Sequence, residues 1–440
     1  MFSGLIQKYN VPGPRYTSYP TVPYWDAAHF SYPVWQDLLV RSFNISNSSE
    51  GISLYIHLPF CESLCTFCGC NKRITKQHNV EAPYIAEKPI IKELHLGGGT
   101  PTFFSVAHLE QLINGIFSCA EKANAPEYSF EGHPNNTTKE QLQKLFDLGF
   151  TRVSFGVQDY NEKVQQAIHR IQPFEHVARV TNWAREIGYH SIGHDLIFGL
   201  PFQTIDDILS TINKTNLLKP DRLAFYSYAH VPWIKGNGQR GFNDEDLPRD
   251  AEKRGLYEEG KKHLLASGYI EIGMDHFALP SDAMFTSFTT GKLHRNFMGY
   301  TSSKTQLMIG LGVSSIGDSW FAFGQNEKEL EAYYQALDNN QLPIFRGHIL
   351  NEEDLIIRKH ILNIMCTFET TWSLQEGYFS DLPDVLAELT EMETDGLLFI
   401  EPNKLTVTDT GKAFVRNICM AFDLRLKRVA PETKLFSMTV

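Results

Sequence analysis

The chain has 440 residues, 42% hydrophobic and 21% charged, with a formal net charge of −11. That length exceeds one small core and predicts two or three domains, while the acidic balance excludes a binder of the nucleic-acid backbone, which needs a clustered basic face. No run of about 18 apolar residues occurs, and residues 1–10 lack a charged-then-apolar leader, so neither a membrane span nor a signal segment is expected.

Residues 1–35 read as an N-terminal arm. Pro12, Pro14 and Pro20 each fix φ and remove a donor, which excludes a helix there. The tyrosines around Arg15 predict an extended arm packed over the rest of the protein. In residues 36–324 strand-like and helix-like segments alternate. Strands are predicted at 52–57, 91–96, 128–131, 152–156, 191–197 and 222–228. Between them Leu109, Leu112, Ile113, Ile116 and Phe117 share one helical face, and Thr137 with Glu140 has capping-box spacing ahead of Leu142, Leu145 and Phe146. Further helices are predicted at about 174–187 and 204–217. Strand–helix alternation with short loops implies a parallel sheet with right-handed crossovers, here a partial (β/α)6 barrel. The first crossover is short: only about a dozen residues, roughly 78–89, remain for it, the lower bound for a βαβ unit. Its helix is expected to be vestigial or absent.

A helix is expected over 250–267, followed by two loop-like stretches, 273–278 and 293–300, dense in aromatic and polar groups. Residues 325–440 read as a separate, mostly helical unit, with helices at 356–368, 384–393 and 410–422. A hairpin formed by 398–400 and 404–407 gives this unit a winged-helix-like pattern. No internal repeat is evident.

Of seven cysteines, Cys61, Cys65, Cys68 and Cys70 crowd onto one loop behind the first strand, where Pro59 ends it. That is the wrong distribution for a disulfide framework and the right one for a metal site in a reducing compartment, so a cytoplasmic location is expected. Structural zinc ordinarily takes four ligands as two separated pairs, and no second pair exists. Three thiolates on one loop favour an iron–sulfur cluster with one iron left open, over a zinc-stabilised structural protein. Cys119, Cys366 and Cys419 stand alone and read as buried apolar residues.

Other positions carry local readings of their own. Gly97–Gly99 follow the second strand and let backbone or ligand approach closely, without the Lys-Ser/Thr of a phosphate loop. Glu131, Gln158 and Asp195 fall at the ends of the third, fourth and fifth strands, where ligand-facing groups collect. Taken singly, Glu131 and Asp195 read equally well as surface carboxylates. Arg170 reads as a helix-end cation and Tyr55 as core.

The motif CxxxCxxC behind a strand, with Phe67 before the third cysteine, resembles the radical S-adenosylmethionine superfamily. The wider set is more specific: YIHLPFCESLCTFCGCNK (55–72), GGGTPT (97–102), GVQDY (156–160), HDLIFGLP (194–201), DHFA (275–278) and RNFMGY (295–300). Together these resemble the oxygen-independent coproporphyrinogen III oxidase family, from GPRYTSYPT at 13–21 to RNICMAFD at 416–423. The resemblance implies a [4Fe–4S] cluster on Cys61, Cys65 and Cys68, with Cys70 outside the ligand set. It implies a first S-adenosylmethionine near Tyr55, Phe67, Gly98, Glu131 and Ile316. A second would lie near Gly99, Thr100, Gln158, Arg170, Asp195 and Ala229. Tyr55, Phe297 and Met298 fall at the catalytic positions; the family pattern has Gln where Met298 stands, and a longer interval between Cys70 and Gly97. The implied reaction uses a 5′-deoxyadenosyl radical to turn two propionates of coproporphyrinogen III into vinyl groups, giving protoporphyrinogen IX for haem synthesis. The electron donor and acceptor are unidentified partners, no nucleic acid or membrane is involved, and a monomer is expected. Haem-binding trafficking relatives that keep the cluster without turnover are the alternative. They carry Asp-Phe after the third cysteine, where this chain has Gly-Cys, and they lack the arm. Because the substrate bears four carboxylates, Arg15 and Arg295 are expected to meet it through bidentate pairs.

Overall fold

The fold is that of a computed structural model, which describes residues 2–61, 73–74, 88–231, 239, 241–429 and 436–439. Six parallel strands occur where alternating β-branched and aromatic residues predict them: β1 (Ile52–Leu58), β2 (Ile90–Gly98), β3 (Glu121–Gly132), β4 (Arg152–Gln158), β5 (Ser191–Phe198) and β6 (Arg222–Ser227). They adjoin in chain order, with Tyr55 opposite His95, His95 opposite Ser129, Glu131 opposite Ser154, and Gly156 opposite Asp195. Successive side chains on a strand point to opposite faces. Leu94, Leu96, Phe130, Val153, Phe155 and Leu196 therefore face the helices and are fully buried. The opposite, inner face carries the polar residues.

The helices at Val106–Cys119, Lys139–Asp147, Phe174–Ile187 and Ile205–Leu218 cover the apolar face. The capping box of the second lies one residue further on than the spacing of Thr137 and Glu140 suggests. Thr138 accepts from Gln141 N at 3.1 Å, and the Gln141 side chain accepts from Thr138 N at 2.9 Å. Thr137 instead donates to His133 O at 2.9 Å. Gln141 Nε2 also donates to Thr102 O and Phe104 O, tying this helix to the loop behind β2. Thr138→Ala is expected to cost about 1 kcal/mol, read as a lower urea midpoint with an unchanged slope.

The sheet extends beyond the six strands. Met308–Leu311 adds a seventh parallel strand beside β1, and Ile316–Asp318, Ala322–Asn326 and Ile344–Ile349 continue it antiparallel. His276–Ala278 and Ile270–Gly273 extend the other edge, completing a 12-stranded open sheet. A domain boundary at 324 would cut the strand Ala322–Asn326; the architecture changes after Ile349. These added strands are short and carry Gly310, Gly317 and Gly324, a composition that reads as loop. Their glycines have a packing cause. A Cβ on Gly324 would approach Trp35 Cε2 to 2.9 Å, and one on Gly317 would approach Trp35 Cζ2 to 3.1 Å.

Trp35 belongs to a helix, Tyr32–Ser46, that opens with Pro33 in its first turn, where a missing N–H costs nothing. This helix begins within residues 1–35, at Tyr32. The arm also begins with a helix, Phe2–Tyr9, which closes ahead of Pro12. Tyr16 and Tyr19, between these helices, are buried in one core with Tyr300, Met365 and Phe422.

After Ile349 come helices Glu352–Thr367, Leu382–Thr394 and Val415–Phe422, with a three-stranded sheet of Glu369–Thr371, Lys404–Val407 and Leu398–Glu401. The arrangement is winged-helix-like. Cys366 and Cys419 are buried here, whereas Cys119, in the last turn of its helix, is exposed rather than buried.

Candidate active site

The thiol loop begins where β1 ends. Cys61 is described and partly buried; Phe67, Cys65, Cys68, Cys70 and residues 75–87 of the first crossover lie outside the described residues. The two ends of the loop are brought together, since Phe60–Cys61 pair in parallel with Arg73–Ile74. The loop is braced from β2. Gly99 N donates to Leu58 O at 2.7 Å and Thr100 N to Phe60 O at 2.9 Å. Thr100 Oγ1 lies 3.6 Å from Cys61 Sγ, with the geometry of a hydroxyl donating to sulfur. A Cβ on Gly99 would fall 2.6 Å from Phe60 O and 2.8 Å from Leu58 O. The glycine run thus serves first to seat the end of β2 against the end of β1. Gly98, at φ 104°, passes over His57 in the same way.

Across the inner face runs a line of polar side chains at every second residue. The Tyr55 hydroxyl is 3.0 Å from His57 Nδ1, and its ring stacks on His95 at 5.9 Å between centroids. His95 Nδ1 lies 2.8 Å from Ser129 Oγ and Nε2 lies 3.5 Å from Glu131 Oε1. Ser154 Oγ donates to Asp195 Oδ1 at 3.1 Å. Burial, then the charge of Glu131, pushes Asp195 up to about 7, against the opposing pull of Ser154 and Arg170. Tyr226 and His276 close the line on the β6 side, 3.4 Å apart at hydroxyl and Nε2. Burial and the charge of Arg295 lower His276 to about 3, so its imidazole is neutral.

Gln158, Arg170 and Asp195 surround Gly156. Arg170 Nη2 donates to Gly156 O at 2.6 Å, and a Cβ on Gly156 would meet Gln158 Nε2 at 2.6 Å and Arg170 Nη2 at 2.9 Å. Gln158 itself takes the left-handed φ of 66° at a bulge against β5. Ala229 lies just past β6, its carbonyl accepting from Gln239 Nε2 at 2.7 Å. Ile316 opens the strand that follows Met308–Leu311. Phe297 and Met298 form the tip of a tight hairpin between His294–Asn296 and Gly299–Thr301, with Met298 N donating to Asn296 Oδ1. The Phe297 ring stands edge-on to Trp25 of the arm and to Phe323.

Two expectations are sharpened by burial. Arg295 does not face an open site: it is 4% exposed, its Nε donates to Tyr16 O and its Nη2 to Arg15 O. The hairpin lies beneath the arm, whose carbonyls take up Nε and Nη2, while Nη1 is buried with no hydrogen-bond partner among the described residues. Arg15 is one-third exposed and pairs with Asp275. Residues not singled out by the motifs, namely His95, Ser154 and Tyr226, complete the polar line together with His276 of the DHFA stretch. Their signal in the sequence is period-2 placement within otherwise apolar strands.

A partial parallel barrel whose first strand runs into a CxxxCxxC loop, with a polar inner face at the strand ends, defines a radical S-adenosylmethionine enzyme. The family model described as the Radical SAM superfamily matches residues 55–215. The oxygen-independent coproporphyrinogen III oxidase of Escherichia coli K12 is 38% identical over 447 residues, covering 97% of this chain and 96% of its own. That of Helicobacter pylori J99 is 39% identical over 446 residues, covering 96% of each. The solved coproporphyrinogen III oxidase of Escherichia coli, titled a radical SAM enzyme, superposes with a TM-score of 0.84 at 35% identity, covering 93% of this chain and 97% of its own. The chain belongs to the oxygen-independent coproporphyrinogen III oxidase family and is an oxidoreductase.

The family implies a [4Fe–4S] cluster and S-adenosylmethionine. The residues present fit both: Cys61 stands at the mouth of a loop whose ends are closed by strand pairing, and the inner face of the barrel offers Tyr55, His95 and Glu131 as polar and aromatic partners.

Proposed function

We propose that this protein removes two propionate carboxyls of coproporphyrinogen III, leaving vinyl groups and yielding protoporphyrinogen IX in haem biosynthesis. Each round takes one hydrogen atom from the propionate β-carbon, then CO2 and one electron leave as the double bond forms. When bound, the cluster and S-adenosylmethionine supply the one-electron chemistry that removes hydrogen from unactivated carbon. The observation that carries this reading is the convergence of the braced thiol loop, the polar inner face and the arm on one end of the barrel, in a chain that matches oxidases along nearly its whole length.

The chain's own groups orient and shield. Cys61, with Cys65 and Cys68, would hold the cluster. Tyr55, Gly98, Glu131 and Ile316, with Phe67, would seat one S-adenosylmethionine. Gly99, Thr100, Gln158, Arg170, Asp195 and Ala229 would seat a second. Phe297, packed on Trp25, would keep water from the reacting carbon. Met298 would contribute a thioether there instead of an amide. The haem-trafficking reading gains nothing, because the full-length relatives named above are oxidases. We read the protein as cytoplasmic from the clustering of its cysteines on one loop; among the described residues no helix is long and apolar enough to cross a membrane.

Anaerobic purification is expected to yield about four irons and four sulfides per chain. Reductant, S-adenosylmethionine and coproporphyrinogen III should then give a product lighter by two CO2 and four hydrogens, two abstracted as atoms and two lost as protons with two electrons, read by mass spectrometry. Stoichiometric zinc, or haem binding without that product, would overturn the reading.

A further inference from the structure

Four cations meet where the arm crosses the barrel: Arg15, Lys253, Arg295 and Arg416. Arg15 lies over the Tyr226 ring, 5.7 Å from its centroid, and pairs with Asp275. Lys253 Nζ donates to Tyr228 O at 2.7 Å. Arg416 Nε donates to Pro14 O and Nη1 to Met438 O, both at 2.8 Å. With Arg295 holding the carbonyls of Arg15 and Tyr16, the arm's backbone is fixed from two sides. Among the described residues Asp275 is the one carboxylate in contact with any of the four.

These charges feel one another. Burial first, then the charge of Arg15, lowers Lys253 to about 8 and Arg416 to about 9. Like charges gathered in an enclosed, low-dielectric region are unfavourable until an anion joins them. Arg295 and Arg416 are buried and already bound to carbonyls, so they position the arm. Arg15 keeps accessible surface and lies over Tyr226 of the inner face.

We infer that Arg15 forms a subsite for one carboxylate of the substrate, and that Asp275 holds the Arg15 guanidinium in place until that carboxylate arrives. The inference rests on the proposed tetracarboxylate substrate. A guanidinium presents paired donors that match a carboxylate bidentately. Asp275 then acts as a competing ligand as well as a support.

The test uses the full-length, cluster-loaded protein and two non-reacting probes, coproporphyrin III and its tetramethyl ester, titrated by fluorescence. The acid is expected to bind more tightly than the ester. Arg15→Gln should weaken the acid by about 10–100-fold and leave the ester unchanged. Asp275→Asn should keep or tighten acid binding, because it removes the competitor; a merely structural ion pair would make both variants lose affinity for acid and ester alike. That parallel loss, or unchanged acid affinity in Arg15→Gln, overturns the subsite. A wild type that prefers the acid yet forms no decarboxylated product leaves the subsite standing and overturns the oxidase reading.

Discussion

Gly99→Ala is expected to lower turnover at least about 100-fold and to reduce iron retention, while the barrel still folds. The cause is steric and local. The added Cβ would stand 2.6 Å from Phe60 O, 2.8 Å from Leu58 O and 2.9 Å from Phe60 N. All three are backbone atoms, so no side-chain rotation relieves the contact. The ends of β1 and β2 must part, which breaks the Gly99–Leu58 and Thr100–Phe60 hydrogen bonds and moves Thr100 off Cys61. Overpacking of this kind costs about 1–3 kcal/mol, too little to unfold a chain of this size but enough to misplace a thiolate. Gly115→Ala is the control. That glycine lies within the helix Val106–Cys119 with nothing within 4 Å of the added carbon, so a gain of about 0.5–1 kcal/mol is expected. Iron and sulfide analysis after anaerobic reconstitution, beside thermal unfolding, separates the two. Full iron retention in Gly99→Ala would show that the loop is not braced from β2.

How much of the fold is legible from residues alone depends on what each segment asks of its neighbours. The six central strands announce themselves because their outer face packs on the helices, so apolar residues recur at every second position between turn residues. The edge strands around Gly310, Gly317 and Gly324 do not. Gly317 and Gly324 make room for Trp35 and Gly310 for the Ile316 backbone, requirements visible only once the helix Tyr32–Ser46 and the neighbouring strand are laid beside them. The arm shows the same limit. Its prolines correctly exclude helix over 11–20 but say nothing of residues 2–9 or of Pro33, which begins a helix instead of preventing one. Thr137 and Thr138 offer nearly equal capping signals, and the choice falls to Thr138 because Thr137 is engaged with His133.

For the site, motif positions locate the strand ends and hence the groups around Gly156. What they leave out is connectivity. Nothing in the spacing of Tyr55 and His95 reveals that their rings stack, because that follows from the β1–β2 register. Arg15 and Arg295 look alike as loop arginines near aromatics. The packing of the arm on the hairpin separates them, one left accessible and one bound to carbonyls. Exposure is a tertiary property, as Cys119 also shows: it shares an amphipathic helix with Ile113 but points away from the core.

Asp195→Asn is expected to stabilise the protein at pH 8 while impairing turnover by at least about tenfold. A carboxyl held up to about 7 when folded, against about 3.9 when unfolded, keeps its proton in the folded state through a window where the unfolded chain has lost it. Between about pH 4 and 7 the folded state binds more protons, so stability falls as pH rises, and the full penalty applies above 7. Its size is on the order of 2–4 kcal/mol. The amide carries no charge yet still accepts from Ser154, so the variant should lack this slope, matching wild type near pH 4 and exceeding it at pH 8. Differential scanning calorimetry across that range reads the effect; parallel curves for the two proteins would place the penalty on another group. We propose that the stability held back at Asp195 serves ligand binding: a carboxylate beside Glu131 in an enclosed barrel becomes favourable when a cationic group such as a sulfonium joins it. Loss of turnover together with a gain in stability is therefore the signature that separates a ligand-facing carboxylate from a structural one.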